Sequence, residues 1–434
     1  MVFRLDGMYV DGLDRMAAFL NYTASGTPEK GNPFSIVLEV EGTPDESAVR
    51  ELLERRLAPV LPLLHGHLSN HFWTWAPCWV KGKPSPVPFS AESPGDSPDA
   101  AVEIFATEPL PGDARMAVKL FRGEPVSRLV FKFSHLLFDG RGGELVIDCL
   151  LSGAGDLAAV PPGYSHPLLN EWGKQFAGGK IVQHYGNTVL AEGTTASLPG
   201  GSLGRTRFHR IFLQPEEYGN LTASAERLFG PFMLTPFLLG GILRRFNALL
   251  GRLGAEGESL VIPMSVDMRN TPDVPANPYF FNQWSMMPVK AARRDLAEFR
   301  NGVAALRTRI FRAIAAKLPH AYRVAPRLTR LVPFPLMARA FRKKGAASTG
   351  SMMFSYLDSA LSAPGTLCGY PVRNLYHMPV MPPLNALGIF ANSFNGRLNL
   401  IASFREGNLP EEEWNRFLSE LENDLSALGK GMEL

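Results

Sequence analysis

Short apolar strands and amphipathic helices alternate along the first 165 residues of the chain. An unbroken apolar stretch over residues 34–40 predicts a buried strand, and the apolar positions that follow Asp45 recur at helical spacing. Residues 115–121 and 128–133 alternate between apolar and polar positions on either side of a Gly-Glu-Pro turn, which predicts a β-hairpin. The pattern of the first half is therefore that of a mixed α/β structure.

The second half of the chain continues this alternation with longer elements. Residues 231–250 are the most apolar segment, and Thr235 followed by proline suits the start of a helix. A strand is predicted over 259–266 and a long helix over 295–317. Two further strands flank Asn395-Gly396, the dipeptide typical of a tight hairpin turn, and a final amphipathic helix follows them.

Glycine, proline and small polar residues mark a junction near the middle of the chain. Two such stretches, residues 153–164 and 193–204, bracket a segment with little periodicity. This composition is typical of a domain boundary, and the length of 434 residues suits two or three domains. We therefore predict an N-terminal subdomain over 1–165, a linker or crossover over 166–205 and a C-terminal subdomain over 206–434.

Composition and charge exclude several classes of protein. Hydrophobic residues make up 45% of the chain and the formal net charge is only +3, far from the excess of a dedicated nucleic-acid binder. The cysteines Cys78, Cys149 and Cys368 form no CxxC pair, which fits a reducing compartment. The charged N-terminus lacks the apolar core of a secretory signal, and Arg244 and Arg245 interrupt the most apolar segment. We expect a cytoplasmic protein.

A histidine follows directly after the strand that ends near Phe133. The sequence there is Ser134-His135-Leu136-Leu137-Phe138-Asp139-Gly140. An imidazole at a strand end, with a carboxylate four residues later and a glycine that lets the backbone turn, can place a base in a cleft. A bare HxxxDG motif also arises by chance in roughly a few per cent of such chains, so the rest of the sequence decides its meaning.

This segment resembles the motif His-His-x-x-x-Asp-Gly of the CoA-dependent acyltransferase superfamily. That superfamily includes chloramphenicol acetyltransferase, nonribosomal peptide condensation domains, and wax-ester and polyketide-associated acyltransferases. The chain matches from the second histidine, His135, onward and has Ser134 in place of the first. The resemblance extends, in the expected order, to Asp14-Arg15-Met16, residues 34–40, the helix at 235–250, the strand at 262–269 that ends in Asp-Met-Arg, and the hairpin at 392–404.

The resemblance implies an α/β fold with two chloramphenicol-acetyltransferase-like subdomains. Each would be a mixed, mostly antiparallel sheet with flanking helices, with an active-site tunnel at their interface and the HxxxDG motif in the N-terminal subdomain. The implied activity is transfer of an acyl group from acyl-CoA or an acyl carrier protein to a hydroxyl or amine. His135 would be the general base, because a near-neutral imidazole can take the acceptor's proton as it attacks the thioester.

The resemblance also implies roles for the residues around His135. Asp139 would pair with Arg269, pointing away from the substrate and holding the loop, while Gly140 would supply the turn. The tetrahedral intermediate needs a hydrogen-bond donor, for which Asn282 and Ser355 are candidates; both could instead be ordinary strand residues. Ser134 occupies a position that is commonly structural or a minor hydrogen-bonding element in the family.

Two alternatives to this function remain open at the level of sequence. One is a stand-alone condensation enzyme that depends on a carrier protein and forms an amide. The other is a catalytically inactive, condensation-like module that binds a ligand or a partner. The resemblance implies no tightly bound cofactor in any case, with acyl-CoA or acyl-phosphopantetheine as the co-substrate.

Positive charge is concentrated in one part of the second half. Residues 299–357 contain twelve lysines and arginines and no acidic residue. Such a run is expected to attract a polyanion: the phosphates of coenzyme A, an acidic carrier protein or an anionic membrane surface, although a solvated helix face accounts for some of the charges. We assign donor or carrier binding to Arg339, Arg342, Lys343 and Lys344, and peripheral membrane contact to the basic stretch 300–344; nucleic acid is not expected.

Three histidines have a spacing that suggests a metal site. His65, His67 and His71 form His-x-His-x-x-x-His, and on a strand His65 and His67 would share a face, as metal ligands do. No nearby carboxylate or ordered cysteine spacing completes the set. We therefore predict no metal.

Overall fold

The structure is a computed structural model, which describes residues 7–71, 76–95, 97–153, 157, 172–269, 271, 278–330, 332–344, 350–358, 361 and 365–432. Strands and helices alternate along the chain. The strands are β1 (Gly7–Tyr9), β2 (Pro33–Glu41), β3 (His67–His71), β4 (Ala76–Val80), β5 (Phe89–Glu92), β6 (Met116–Phe121), β7 (Val126–Ser134), β8 (Thr206–Leu213), β9 (Ser259–Asp267), β10 (Trp284–Ala292), β11 (Met353–Leu357), β12 (Thr366–Leu367), β13 (Tyr370–Pro379), β14 (Leu387–Phe394) and β15 (Arg397–Arg405). The α-helices are α1 (Gly12–Thr23), α2 (Glu46–Leu57), α3 (Leu61–Leu64), α4 (Pro98–Thr107), α5 (Gly140–Ser152), α6 (Trp172–Tyr185), α7 (Pro215–Phe229), α8 (Leu234–Arg252), α9 (Phe299–Ala315), α10 (Leu318–Val324), α11 (Phe334–Lys344) and α12 (Glu411–Gly429).

The first of two large sheets has the strand order β12-β13-β2-β7-β6-β5. β7 lies at its centre and pairs antiparallel with β2 and β6, so Phe131 stands opposite Ile36 on one side and Val118 on the other. These three side chains belong to one buried apolar cluster. The predicted β-hairpin and the predicted strand at 34–40 are thereby confirmed, and Asp45 caps α2 as expected from its position.

The second large sheet has the order β10-β9-β11-β14-β15-β8. β11 runs parallel to β9 and β14, while the other neighbours are antiparallel, so the sheet is mixed. The predicted hairpin is confirmed as β14 and β15, and both Asn395 and Gly396 adopt the positive φ that its tight turn requires. A small third sheet, β1-β4-β3, completes the described strands.

The most apolar segment of the sequence forms α8 inside the second half of the molecule. Its residues pack against the second sheet in the largest buried cluster, with Phe237 and Leu238 fully buried. The helix begins two residues earlier than the sequence suggested, because Met233 rather than Thr235 occupies the N-cap position. Among the helices that the structure describes, none is long and apolar enough to cross a membrane.

The C-terminal part of the chain contributes strands to both large sheets, which the sequence did not indicate. β12 and β13, from the C-terminal part of the chain, join the first sheet beside β2, and β14 then returns to the second sheet. Buried amides join the strands across this exchange: Asn374 and Asn399 donate to each other at 2.9 Å, and Asn392 donates to the Leu375 carbonyl at 2.8 Å. The subdomain boundaries at 165 and 206 stay predictions, and much of the first breaker-rich stretch lies outside the described residues.

A fully buried ion pair fixes the N-terminal part of the chain to the second sheet. Arg405 on β15 donates to Glu29 at 3.3 Å and to the Met381 carbonyl at 2.6 Å, while Glu29 accepts from the Thr206 backbone at 2.7 Å. Neither charged side chain is exposed to solvent. Each charge therefore depends on the other for its compensation inside the protein.

Replacement of Arg405 by methionine is expected to lower the free energy of unfolding by about 3–5 kcal/mol, because Glu29 is left buried without its partner. Urea denaturation measures this loss. The matched control is Arg416→Met, which removes an exposed arginine paired with Glu420 on α12. That change should cost about 1 kcal/mol or less. Equal losses in the two variants would contradict the structural role of the buried pair.

Candidate active site

His135 follows the last residue of β7 and faces a cavity between the two sheets. The cavity has a volume of about 130 Å³ and takes its walls from both halves of the molecule, with Phe34 and His135 on one side and Trp284 and Ser355 on the other. The His135 ring lies against Phe34, with 4.5 Å between the ring centroids. The structure thus places the motif histidine where the sequence predicted it, in a cleft between two sheets.

Strand β11 forms the opposite wall of the cavity, which is lined by every second residue of the strand. Met353, Ser355 and Leu357 line the cavity, whereas Phe354 between them is buried in the core of the second half. Ser355 is a polar position on an otherwise apolar strand face, and among the described residues its hydroxyl has no hydrogen-bond partner. A hydroxyl in this position can donate to a bound molecule.

Asp139 ends the loop that carries His135 and holds three elements together. Its carboxylate accepts from the Arg269 guanidinium at 2.7 Å, from the Gly142 backbone at 2.7 Å and from the Gln283 backbone at 2.8 Å. The Gly142 contact caps α5. Arg269 also donates to Asp267 and to the Pro278 carbonyl, so the predicted ion pair is present and is anchored on both sides.

Asp139 and Arg269 each stabilise the charged form of the other. Burial alone would raise the pKa of Asp139, but the Arg269 guanidinium and the N–H donors of Gly142 and Gln283 outweigh it and hold this pKa below its usual value. Burial would likewise lower the pKa of Arg269, and the carboxylates of Asp139 and Asp267 raise it instead. Asp139 is therefore an anion at neutral pH and has no proton to donate as an acid.

The close approach that requires glycine occurs at Gly142 rather than at Gly140. A Cβ on Gly142 would lie 2.5 Å from the Tyr279 carbonyl oxygen, which is too close for any side chain. At Gly140 a Cβ would meet Leu357 and His377 only at ordinary contact distances, and Gly140 has no positive φ. Gly140 therefore shows no feature that only glycine could supply, and the turn assigned to it stays a prediction, whereas Gly142 lets α5 approach the segment from the second half.

The His135 imidazole is neutral over the physiological range. Desolvation lowers the pKa of His135 to about 4, while the Asp139 carboxylate and hydrogen bonds with the Phe138 backbone and the Asn282 side chain act in the opposite direction without offsetting it. A neutral ring can accept a proton from an acceptor without first losing one.

Asn282 is committed to the loop and does not face the cavity. Its side-chain amide donates to the His135 carbonyl at 2.8 Å and to Asp14 at 3.0 Å, and its backbone N–H donates to the same Asp14 oxygen at 2.7 Å. Trp284 donates to the Asn282 side-chain oxygen at 3.1 Å. Because both amide hydrogens are already engaged, the structure offers no Asn282 donor for an oxyanion in the cavity.

Asp14 is a residue near the site to which the sequence analysis gave no role. It lies on α1, where it also accepts from the Asp11 backbone at 2.8 Å. Burial raises the pKa of Asp14 to about 7, the Asp11 carboxylate adds to this, and the hydrogen bonds from Asn282 oppose it. The Asp14-Arg15-Met16 segment carried part of the family resemblance, but nothing in its spacing pointed to Asn282, 268 residues away.

Ser134 and a further polar cluster lie beside the site. The Ser134 hydroxyl accepts from the Leu136 backbone at 3.3 Å, so it supports the turn that begins at His135. Behind Gly140, the buried Glu144 contacts His377 at 2.7 Å and Arg141 at 2.7 Å. The sequence did not indicate this cluster because His377 on β13 is 233 residues away from Glu144 on α5.

Part of the cationic stretch is internal. Arg323 and Arg327 pair with the buried Asp11 at 3.1 Å and 2.5 Å, and Arg330 is also buried. On α11, by contrast, Arg339, Arg342 and Lys343 are exposed, and the side chain of Lys344 lies outside the described residues. None of the three exposed cations lines the cavity, so donor binding by this group stays a prediction.

The histidine spacing does not lead to a described metal site. The side chain of His71 lies outside the described residues, and no cluster of three histidine, cysteine, aspartate or glutamate side chains suited to a metal ion occurs in the parts of the chain that are described.

Solved structures match the chain over almost its whole length. The first condensation domain of the CDA synthetase aligns with a TM-score of 0.69 at 15% identity, covering 99% of this chain and 97% of that one. Trichothecene 15-O-acetyltransferase from Fusarium sporotrichioides aligns at 0.66 and 13% identity, covering 97% and 94%. The starter condensation domain of rhizomide synthetase, solved as a variant in complex with C8-CoA, aligns at 0.65 and 12% identity, covering 98% and 96%.

No protein-family model and no curated protein matches the sequence. The structural matches show that the chain has the two-subdomain α/β fold shared by condensation domains and acyltransferases. The fold implied by the sequence resemblance is therefore confirmed.

Asp14→Asn is expected to change how stability depends on pH. Because the pKa of Asp14 is raised from 3.8 to about 7 in the folded chain, its protonated form stabilises the fold. This contribution is fully present below about pH 4 and is lost as the pH rises through about 7. Between about pH 5 and about pH 8, the free energy of unfolding should therefore fall more for the wild type than for the variant. Urea denaturation at both pH values measures this difference.

The matched control for this comparison is Asp113→Asn, at an exposed loop position. It should leave the difference between the two pH values as in the wild type. Parallel pH profiles for the wild type and Asp14→Asn would show that Asp14 does not titrate in this range.

Proposed function

We propose that the chain is an acyltransferase that moves an acyl group from a thioester donor to a hydroxyl or amine acceptor. The observation that carries the proposal is the position of His135: a neutral imidazole faces a cavity between two sheets, and the Asp139 of the same motif is engaged in an ion pair with Arg269. The shared fold with condensation domains and an acetyltransferase supports this chemistry.

His135 acts as the general base in this proposal. Its unprotonated ring nitrogen accepts the acceptor's proton while the acceptor oxygen or nitrogen forms a bond to the thioester carbonyl carbon. The resulting tetrahedral oxyanion collapses, the carbon–sulfur bond breaks, and the imidazolium returns the proton to the departing thiolate. The product is an ester or amide plus a free thiol. The Asp139 carboxylate, which raises the pKa of His135, stabilises the imidazolium during this sequence.

Ser355 is the better candidate for the oxyanion donor. It lies on the cavity wall with an uncommitted hydroxyl, whereas the amide hydrogens of Asn282 are used to hold the His135 loop and Asp14. We assign Asn282 to positioning the His135 loop and Ser355 to stabilising the developing negative charge.

Ser355→Ala is expected to lower kcat by about 100- to 1,000-fold, the typical effect of removing one oxyanion donor. A near-normal kcat for Ser355→Ala would exclude this role.

The fold is compatible with two kinds of donor. One of the similar structures, the starter condensation domain of rhizomide synthetase, holds C8-CoA, and another is the first condensation domain of the CDA synthetase. We propose acyl-CoA or an acyl carrier protein as the co-substrate, with the amide-forming condensation enzyme as the alternative and the inactive binding module as the second alternative. A tightly bound cofactor has no part in the proposed chemistry, and the cytoplasmic location stays a prediction.

His135→Ala is expected to lower thiol release from acyl-CoA by at least about 100-fold, because the acceptor then has no base. The assay follows the free thiol with short and long acyl-CoAs in the presence of alcohols and amines. His320→Ala, which changes an exposed histidine on α10, is the control and should keep wild-type turnover. Turnover only with a loaded carrier protein supports the condensation alternative, and binding without turnover supports the inactive module.

The pH profile of the wild type gives a second readout of the same role. Since the pKa of His135 is about 4, the neutral base persists through mildly acidic solution. kcat/KM should therefore fall only as the pH drops through about 4, rather than near the ordinary histidine value of about 6.5. A half-loss of activity near pH 6.5 would contradict this assignment.

The exposed cations of α11 are proposed to attract the phosphates of the donor. Reversing charge at Arg339, Arg342 and Lys343 should raise KM for acyl-CoA steeply at low salt and only slightly at high salt, with kcat unchanged. Steady-state kinetics at two ionic strengths make the test. Arg50→Glu, on the exposed face of α2, is the control. A KM that does not change at low salt would exclude α11 from donor binding.

A further inference from the structure

Helix α6 lies on the surface with little protein around it. Of its fourteen residues only Gln175 and Gly178 are buried. It packs through its glycines on α10 and on the residues that follow α10: a Cβ on Gly178 would lie 2.3 Å from the Val324 side chain, and one on Gly179 would lie 2.9 Å from Leu328. Most of the circumference of α6 therefore faces outward.

The outward side of α6 carries large apolar residues. Trp172 and Phe176 are 39% and 55% exposed, and their rings stack with 5.6 Å between centroids. Arg330 supports this pair from beneath, with its guanidinium 4.6 Å from the Trp172 ring centroid and a 2.9 Å hydrogen bond to Gln175. Two exposed aromatic side chains held in place in this way are unusual for a surface in contact with water alone.

The apolar surface continues next to Arg330 along the chain. Val332 is exposed and Leu336 on α11 is 58% exposed. Arg15 of α1 fixes this segment, since it donates to the Thr329 carbonyl at 3.1 Å and to the Val332 carbonyl at 2.5 Å. Together α6 and residues 332–336 form what we call the aromatic face.

Basic residues outnumber acidic ones around the aromatic face. Residues 172–191 contain Lys174 and Lys180 and no acidic residue. Residues 299–357 likewise contain basic residues and no acidic residue. Both lysines of α6 are exposed. A second copy of this chain would therefore bring like charges together, whereas a negatively charged surface would be attracted.

We propose that the aromatic face docks on an anionic lipid bilayer. Exposed tryptophan and phenylalanine suit the boundary between headgroups and acyl chains, and lysines beside them bind anionic headgroups. The docked surface borders the candidate site through α1: Phe19 packs on Phe341 of α11 with 5.2 Å between centroids, while Ala17 and Leu20 line the cavity. The proposal does not depend on the acyltransferase activity, because bilayer binding requires no turnover.

Vesicle flotation tests this proposal. The full chain is expected to float with vesicles of phosphatidylcholine and phosphatidylserine and to stay behind with phosphatidylcholine alone. Lys174→Gln/Lys180→Gln should lower the partition constant at least about tenfold, since each basic residue near an anionic surface contributes about fivefold. Trp172→Ala/Phe176→Ala should lower it by a similar factor through loss of apolar burial.

Matched variants elsewhere control for nonspecific effects. Phe212→Ala removes an aromatic residue of β8 that is 47% exposed, and Lys81→Gln/Lys83→Gln removes two exposed lysines of a loop. Both should float as the wild type does, and unchanged thermal midpoints confirm that all variants are folded.

Three results would overturn the proposal. The first is wild-type protein that does not float with anionic vesicles. The second is flotation that the α6 variants leave unchanged. The third is absence of vesicle binding together with capture of an acidic acyl carrier protein that the α6 variants weaken, which would assign the aromatic face to a protein partner.

Discussion

The ion pair between Asp139 and Arg269 is the interaction on which the geometry of the site depends. Asp139 ends the loop that carries His135 from the first sheet, and Arg269 lies just beyond β9 of the second. The same carboxylate caps α5 and accepts from the Gln283 backbone. A buried carboxylate is stable only when all of these partners are present, so assembly of the cavity and ionisation of Asp139 are coupled.

Other contacts hold the His135 loop from further directions. The Phe281 backbone donates to the Leu137 carbonyl at 2.6 Å, and Asn282 connects the His135 carbonyl to Asp14 on α1. The loop is thus fixed by the second half of the molecule and by the N-terminal helix. A base held in this way does not need to be ordered when the substrate binds, which lowers the entropic cost of reaching the transition state.

Local features of the fold could be predicted from sequence, because their causes are local. Asp45 precedes a helix that it caps, and Asn395-Gly396 forms a turn whose backbone angles suit those residues. The pairing of Asp139 with Arg269 came instead from family resemblance, since 130 residues separate them. The transfer of β13 into the first sheet depends on long-range strand pairing, which residue periodicity does not encode.

The partners of the charged residues could not be predicted from the sequence either. The sequence shows a cationic stretch, but inside the fold Arg323 and Arg327 both pair with Asp11, more than 300 residues earlier in the chain. Likewise, the aromatic residues of α6 indicate a docking surface only because the structure shows them exposed beside Arg330.

The most direct test of the coupling between the two sheets is a double-mutant cycle of Asp139→Ala and Arg269→Met, measured by urea denaturation. Each single variant should lose about 3–5 kcal/mol and the double variant little more than either, whereas losses that simply add would contradict the coupling of the two sheets through this pair.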